Sequence, residues 1–148
     1  MTNNKIGNEI GNKIGNNIGI MDPDGINNNP LTDKPYSDNY KKLAKVWRNF
    51  PAYDKASEII DTINKNQVIS IISGTGSGKT VLVPKFLLHV LDYKGKIAIT
   101  LPKQIITKSA AEFSAETLDV TLGQEVGYQY RGSDKKHKSN DNRLLYGL

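Results

Sequence analysis

A short glycine-rich stretch carries the residue types in this chain that could do chemistry. Residues 68–72 are largely apolar, residues 73–80 read Ser-Gly-Thr-Gly-Ser-Gly-Lys-Thr, and a second apolar run follows. This order is typical of a strand, a phosphate-binding loop of the Walker A type and a helix. Glycine permits backbone angles at which successive N–H groups turn toward one anion, and a helix start adds further free N–H groups. The sequence therefore predicts a site for the phosphates of a nucleotide.

Two side chains at the end of this loop carry the predicted catalytic roles. Lys79 supplies a positive charge for the β- and γ-phosphates, and the Thr80 hydroxyl is placed to ligate Mg²⁺, so Thr80 is also the predicted metal ligand. The expected cofactors are ATP, or another nucleoside triphosphate, and Mg²⁺. Ser73 stands where the pattern usually has glycine, and the alternative is a chance glycine-rich turn. The predicted nucleotide-binding residues are Gly74, Thr75, Gly76, Ser77, Gly78, Lys79 and Thr80.

Length, charge and cysteine content limit the classes that remain. The 148 residues allow one domain, and the net charge of +5 fits a polyanionic partner without requiring one. The chain has no cysteine, which excludes disulfides and cysteine-ligated zinc. No apolar run is long enough for a membrane span or a signal peptide. We therefore expect a soluble intracellular protein without a membrane partner, located in the cytoplasm or, if its source is viral, in the virion.

The N-terminal residues differ in composition from the rest of the chain. Residues 5–20 repeat a unit of isoleucine, glycine and asparagine that offers too little apolar surface to offset the entropy of ordering. A polar, proline-containing stretch continues to about Lys34, and order is expected to begin near Ser37. The sequence predicts a disordered Asn/Gly/Ile-rich segment over residues 1–36 and a folded domain over residues 37–148.

Helix and strand patterns alternate along this folded part. The predicted helices are Tyr40–Trp47, Ala56–Ile63, Thr80–Tyr93 and Gln104–Thr117. The last of them is expected to bury Ile105, Ile106, Ala110 and Phe113. The predicted strands are Gln67–Ile72, Lys96–Thr100, Glu125–Tyr130 and Arg143–Tyr146. This alternation predicts an α/β fold with a parallel sheet, which binds ligands at the carboxyl ends of its strands.

Three stretches together resemble the DEAH-box and poxvirus-type RNA helicases of superfamily 2. They are residues 74–87, GTGSGKTVLVPKFL, residues 99–103, ITLPK, and residues 122–131, LGQEVGYQYR. The similarity includes the proline at position 84 and runs from about Tyr40 to Leu148. It implies a partial RecA-like P-loop NTPase domain.

The resemblance also assigns roles outside the loop. Lys103 and Arg131 would bind the RNA backbone, and Phe113 would lie near the adenine. The alternatives are a solvated lysine at a helix start, a surface charge at a strand end and a core phenylalanine. Lys103-Gln104 replaces a pair of arginines in the family, which removes one charge and bidentate geometry. The segment Arg131–Arg143 has five basic and two acidic residues, and it reads as a solvated loop that could also touch phosphates.

The family's acidic motif and its second motor domain have no counterpart in the sequence. We therefore expect the chain to be the NTP-binding portion of an ATP-dependent RNA helicase, inactive in hydrolysis on its own. Its partners would be a nucleotide, RNA and the remainder of the helicase motor. The alternatives are a P-loop NTPase of another class, such as a nucleotide kinase or packaging ATPase, and a non-catalytic nucleotide- or RNA-binding module.

Overall fold

The aromatic stripe of one helix organises the first hydrophobic cluster. The computed structural model describes residues 19–136 and 141–147. Helix α1 spans Asp38–Trp47, and its cap, Ser37, accepts a hydrogen bond from the Tyr40 N–H at 3.2 Å. Tyr40 and Trp47 are buried on one face, as their helical spacing predicts. This face packs against the helices that follow.

The other helices and strands follow in chain order, and those after residue 79 occur in the predicted order. The other helices are α2 (Pro51–Asp54), α3 (Ala56–Lys65), α4 (Lys79–Val90) and α5 (Gln104–Leu118), and a 3-10 turn spans Gly19–Met21. The strands are β1 (Asn28–Asn29), β2 (Lys34–Pro35), β3 (Ile97–Thr100), β4 (Val126–Tyr130), β5 (Ser133–Lys135) and β6 (Leu144–Gly147). The four longer helices predicted from sequence are thus confirmed.

A four-stranded sheet forms the second half of the fold. Its strand order is β3-β6-β4-β5; β6 is parallel to both β3 and β4, and β5 is antiparallel to β4. Leu144 on β6 lies opposite Ile97 on one side and Val126 on the other. The predicted α/β fold is therefore confirmed, and so are three of its four predicted strands; the sheet is mostly parallel rather than wholly parallel as predicted, because β5 was not predicted.

The strand predicted at Gln67–Ile72 does not form. This segment pairs with no strand among the described residues, and Val68 and Ile72 are 87% and 93% exposed. A strand is stable only when a neighbour satisfies its backbone N–H and C=O groups. The local apolar pattern predicted a strand but could not supply that neighbour.

Helix α5 begins at the predicted residue and ends one residue later than predicted, but it buries a different face. Ile105, Ile106 and Phe113 are 70%, 44% and 44% exposed, whereas Ala110 is half-buried, so the expected buried face is wrong for three of its four residues. The buried face is richer in small and hydroxyl residues. A hydroxyl group can be buried here because it bonds a backbone carbonyl of the same helix: Thr107 Oγ1 donates to the Lys103 carbonyl at 2.9 Å. The buried residues of α5 are Thr107, Ala111, Ser114, Ala115, Thr117 and Leu118.

Residues 19–36, expected to be disordered, are packed onto the fold. Ile20 and Met21 are buried, and the Tyr40 hydroxyl donates to the Ile20 carbonyl at 3.1 Å. The Asp22 carboxylate accepts backbone N–H groups of the turn that follows it, and Asn29 Nδ2 donates to the Leu118 carbonyl at 2.8 Å. The expectation is wrong here because these buried polar groups are satisfied. Residues 1–18, with nearly all of the repeat, lie outside the described residues.

Lys85 is a fully buried lysine on α4. Its ammonium donates to the Thr117 carbonyl and lies 5.0 Å from the Trp47 ring and 5.9 Å from the Tyr40 ring. The contacts join α1, α4 and the C-terminal end of α5 at one side chain. Burial away from water lowers the pKa of Lys85 to about 7.

We predict that this lysine makes the stability of the protein depend on pH above neutrality. The folded chain releases the Lys85 proton near pH 7, whereas the unfolded chain keeps it to about pH 10. Between these values the unfolded state binds more protons, so the free energy of unfolding should rise with pH by up to about 1.4 kcal/mol per unit. Urea denaturation from pH 7 to 9 should show a steeper rise for wild type than for Lys85→Met.

The matched control is Lys94→Met, which removes a lysine whose side chain is 84% exposed. This variant should keep the pH dependence of the wild type. Parallel pH profiles for wild type and Lys85→Met would contradict the prediction.

Candidate functional site

The glycine-rich loop leads directly into helix α4. Gly78 precedes the helix in the left-handed conformation with φ of +87°, and Gly76 has φ of +78°. Such angles favour glycine, as the sequence pattern predicted. A Cβ atom at Gly74 or Gly76 would meet nothing within 4 Å, so the approach to the loop is open at both positions.

The start of α4 leaves backbone donors at the loop. The first bonds of the helix run from Val81 N and Leu82 N to the Gly78 carbonyl, at 3.2 and 2.8 Å. The N–H groups of Lys79 and Thr80 have no acceptor within the helix. They lie at the positive end of the helix dipole, where an anion is stabilised.

The Lys79 side chain folds back over the loop. Its Nζ lies 2.6 Å from the Ser73 carbonyl, 2.8 Å from Ser73 Oγ, 2.9 Å from the Gly74 carbonyl and 3.1 Å from Ser77 Oγ. An ammonium group has three donors, so four acceptors share them. The positive charge is thus already held at the loop.

These groups fit the triphosphate of a nucleotide. The seven predicted residues are consecutive, and together they offer free N–H groups, an ammonium group and the exposed Thr80 hydroxyl, a hard oxygen ligand of the kind that Mg²⁺ takes.

Within residues 19–136 and 141–147 there is no group of three or more histidine or acidic side chains placed to hold a metal ion. The described part of the chain also contains no helix that is long and apolar enough to cross a membrane.

Sequence reasoning missed a second set of residues at this loop. The Ala52 N–H donates to the Ser77 carbonyl at 3.0 Å, and the Phe50 side chain packs against Gly78 so closely that a Cβ there would lie 2.6 Å from it. The only signal in the sequence is Pro51, which marks a helix start between two helical stretches.

The two predicted RNA-binding residues lie at the carboxyl end of the parallel strands. Lys103 precedes α5 with an extended backbone, and its side chain is exposed. Arg131 lies in the turn between β4 and β5 and is also exposed. Arg131 and Thr100 line an open cleft of about 480 Å³ at this end of the sheet, whereas Lys103 is not part of its lining. Within residues 19–136 and 141–147, no hydrogen bond or salt bridge joins either residue to the phosphate loop.

The segment after Arg131 differs from the predicted loop. Ser133–Lys135 forms β5 and turns back along β4, with Ser133 opposite Tyr130 and Lys135 opposite Tyr128. Lys136 Nζ donates to Gln129 Oε1 at 3.2 Å. The basic residues before position 137 therefore lie on a β-hairpin, and residues 137–140 lie outside the described part of the chain.

A glycine-rich loop before a helix, beside a mostly parallel sheet, is an arrangement that P-loop proteins use. Over 128 residues, 86% of its length, the chain is 50% identical to "Putative ATP-dependent RNA helicase L540" of Acanthamoeba polyphaga mimivirus. Over 114 residues, 73% of its length, it is 40% identical to "Putative ATP-dependent RNA helicase YLR419W" of Saccharomyces cerevisiae. No family model matches the chain.

These matches confirm the resemblance found in the sequence: the chain is related to the RNA helicases of superfamily 2. It spans 18% of the length of the mimivirus protein and 8% of the length of the yeast protein.

We predict that Gly127 is required for the hairpin that presents Arg131. A Cβ at Gly127 would lie 2.8 Å from the Lys135 carbonyl oxygen on β5, so Gly127→Ala should push the two strands apart. We expect a loss of about 1–3 kcal/mol in the free energy of unfolding, measured by urea denaturation. Gly147→Ala is the matched control on β6, since its nearest neighbour would be the Gln129 carbonyl oxygen at 3.7 Å. Equal losses for the two variants would contradict this reading of the strand contact.

Proposed function

We propose that this chain is the ATP-binding, RNA-contacting part of an ATP-dependent RNA helicase, built as a partial RecA-like domain. The convergence of the Lys79 ammonium group and the free N–H groups of α4 on one open loop carries the proposal. The names of the two relatives support the same function. Coupling of ATP hydrolysis to movement along RNA would belong to the whole helicase.

In this proposal the phosphates of ATP replace contacts that the loop now makes with itself. Lys79 Nζ shares its donors among four acceptors, so a phosphate oxygen can take over one of the weaker contacts, such as that to Ser77 Oγ at 3.1 Å. The N–H groups of Lys79 and Thr80 donate to the same phosphates. Mg²⁺, when bound, neutralises phosphate charge, and the Thr80 hydroxyl would be one of its ligands.

The RNA backbone would lie along the carboxyl end of the parallel strands. Within the described ranges, no carboxylate forms a salt bridge with Lys103, Arg131 or Lys135. Their charges are therefore available to phosphates without breaking an ion pair. The sequence carries no base-reading motif at these positions, so the contact would be independent of sequence.

We predict that Lys79→Ala abolishes the binding of ATP. Its charge-assisted contacts with phosphate are worth about 1.5–3 kcal/mol each, which corresponds to about ten- to a hundredfold in affinity per contact. Titration of a fluorescent ATP analogue with Mg²⁺ present measures this loss. Thr80→Ala should weaken only the Mg²⁺-dependent part of the affinity. Lys65→Ala, which removes a lysine 72% exposed on α3, is the control and should bind like wild type. Equal affinity of wild type and Lys79→Ala would refute the assignment of the loop.

We also predict that the hairpin and its turn bind single-stranded RNA through phosphates. Replacing Arg131, Lys135 and Lys136 by alanine should flatten the slope of log affinity against log salt by up to about two units, since each phosphate contact on a single strand contributes about 0.7. Filter binding at several salt concentrations measures the slope. The control is the triple alanine variant at Lys55, Lys65 and Lys94, which removes the same charge elsewhere. If both triple variants change the slope equally, the hairpin is not the RNA contact.

A further inference from the structure

The phosphate loop is supported from the side by the turn between α1 and α2. Residues 73–76 are exposed, whereas Ser77 is only 8% exposed. The segment before the loop, residues 67–72, pairs with no described strand, so it does not anchor the loop to the sheet. The contacts given for Ser77 and Gly78 from outside the loop and α4 come instead from Phe50 and Ala52.

The contact from Ala52 sets the direction of one peptide group. The Ala52 N–H donates to the Ser77 carbonyl at 3.0 Å. In a trans peptide the carbonyl and the next N–H point in opposite directions. Holding the Ser77 carbonyl on Ala52 therefore turns the Gly78 N–H away from α2.

The second contact is between the Phe50 side chain and Gly78, and it restricts the backbone of that glycine. A Cβ at Gly78 would lie 2.6 Å from both Cβ and Cδ2 of Phe50, so the phenylalanine packs directly on the Gly78 α-carbon. Phe50 is itself packed against the first hydrophobic cluster, whose members include Tyr53 and Trp47. The conformation of Gly78, with φ of +87°, is thus connected to the core through one aromatic side chain.

We propose that Phe50 is a positioning residue for the phosphate loop, which it holds in the anion-binding conformation together with the Ala52 N–H. The proposal rests on the proposed function, because it assumes that the loop binds phosphate. Phe50 acts through Gly78 and does not touch the nucleotide. Ordering the loop before the ligand arrives reduces the entropy lost on binding, which raises affinity.

The test compares Phe50→Ala with two matched variants. Phe50→Tyr keeps an aromatic ring on Gly78, and Ile63→Ala removes a half-buried side chain of the same cluster on α3. The ligands are a fluorescent ATP analogue and inorganic tripolyphosphate as its competitor. We expect Phe50→Ala to weaken both by the same factor, about tenfold. Phe50→Tyr should bind both ligands with the affinity of the wild type, and Ile63→Ala should lower the melting temperature with the affinity unchanged.

Amide hydrogen exchange adds a readout that needs no nucleotide. Ala52 is the second residue of α2 and has no acceptor within that helix, so slow exchange of its N–H reports the bond to Ser77. Exchange at Ala52 should be slow in wild type and in Ile63→Ala, and faster in Phe50→Ala.

The outcomes separate this inference from the proposed function. If wild type binds nucleotide through Lys79 but Phe50→Ala binds as Ile63→Ala does, the positioning role is overturned and the proposed function stands. If Phe50→Ala weakens ATP but not tripolyphosphate, Phe50 contacts the base and the inference is wrong. If wild type binds neither ligand, both proposals fail, even where Ala52 exchanges slowly.

Discussion

Burial of helix α4 against both hydrophobic clusters is the interaction on which the rest of the structure depends. Leu82 and Phe86 lie in the cluster built on α1, and Leu88 lies in the cluster beneath the sheet. Lys85, buried on the same helix, contacts the Trp47 ring of the first cluster and the Thr117 carbonyl at the end of α5. Because α4 begins at Lys79, this packing fixes the position of the phosphate loop, although most of that loop is exposed.

The sequence predicted those parts of the structure that local physics determines. Of the three glycines expected to take unusual backbone angles, Gly76 and Gly78 are left-handed and Gly74 is not; such angles depend on one residue at a time, so the sequence can indicate them. The prediction of a strand at 67–72 was wrong because a strand needs a neighbouring strand, which no local pattern describes. The buried face of α5 was missed because the Thr107 hydroxyl bonds the Lys103 carbonyl, which allows a polar residue to be buried.

The residues of the candidate site also divide into those that the sequence could predict and those that it could not. The residues of the phosphate loop could be named from sequence because they are consecutive. Phe50 and Ala52 could not, since only the fold brings the turn before α2 to Gly78. The hairpin after Arg131 was missed because its long polar sequence reads as a loop, whereas Gly132, with φ of +86°, allows a tight turn.

The most direct test of the central claim is to map the backbone amide shifts of the ¹⁵N-labelled chain as Mg²⁺ and ATP are added. The account predicts that the largest shifts fall on the N–H groups of Gly74–Thr80 and that tripolyphosphate reproduces them. Shifts confined to other parts of the chain, or none at saturating nucleotide, would contradict the assignment of this loop as the phosphate site.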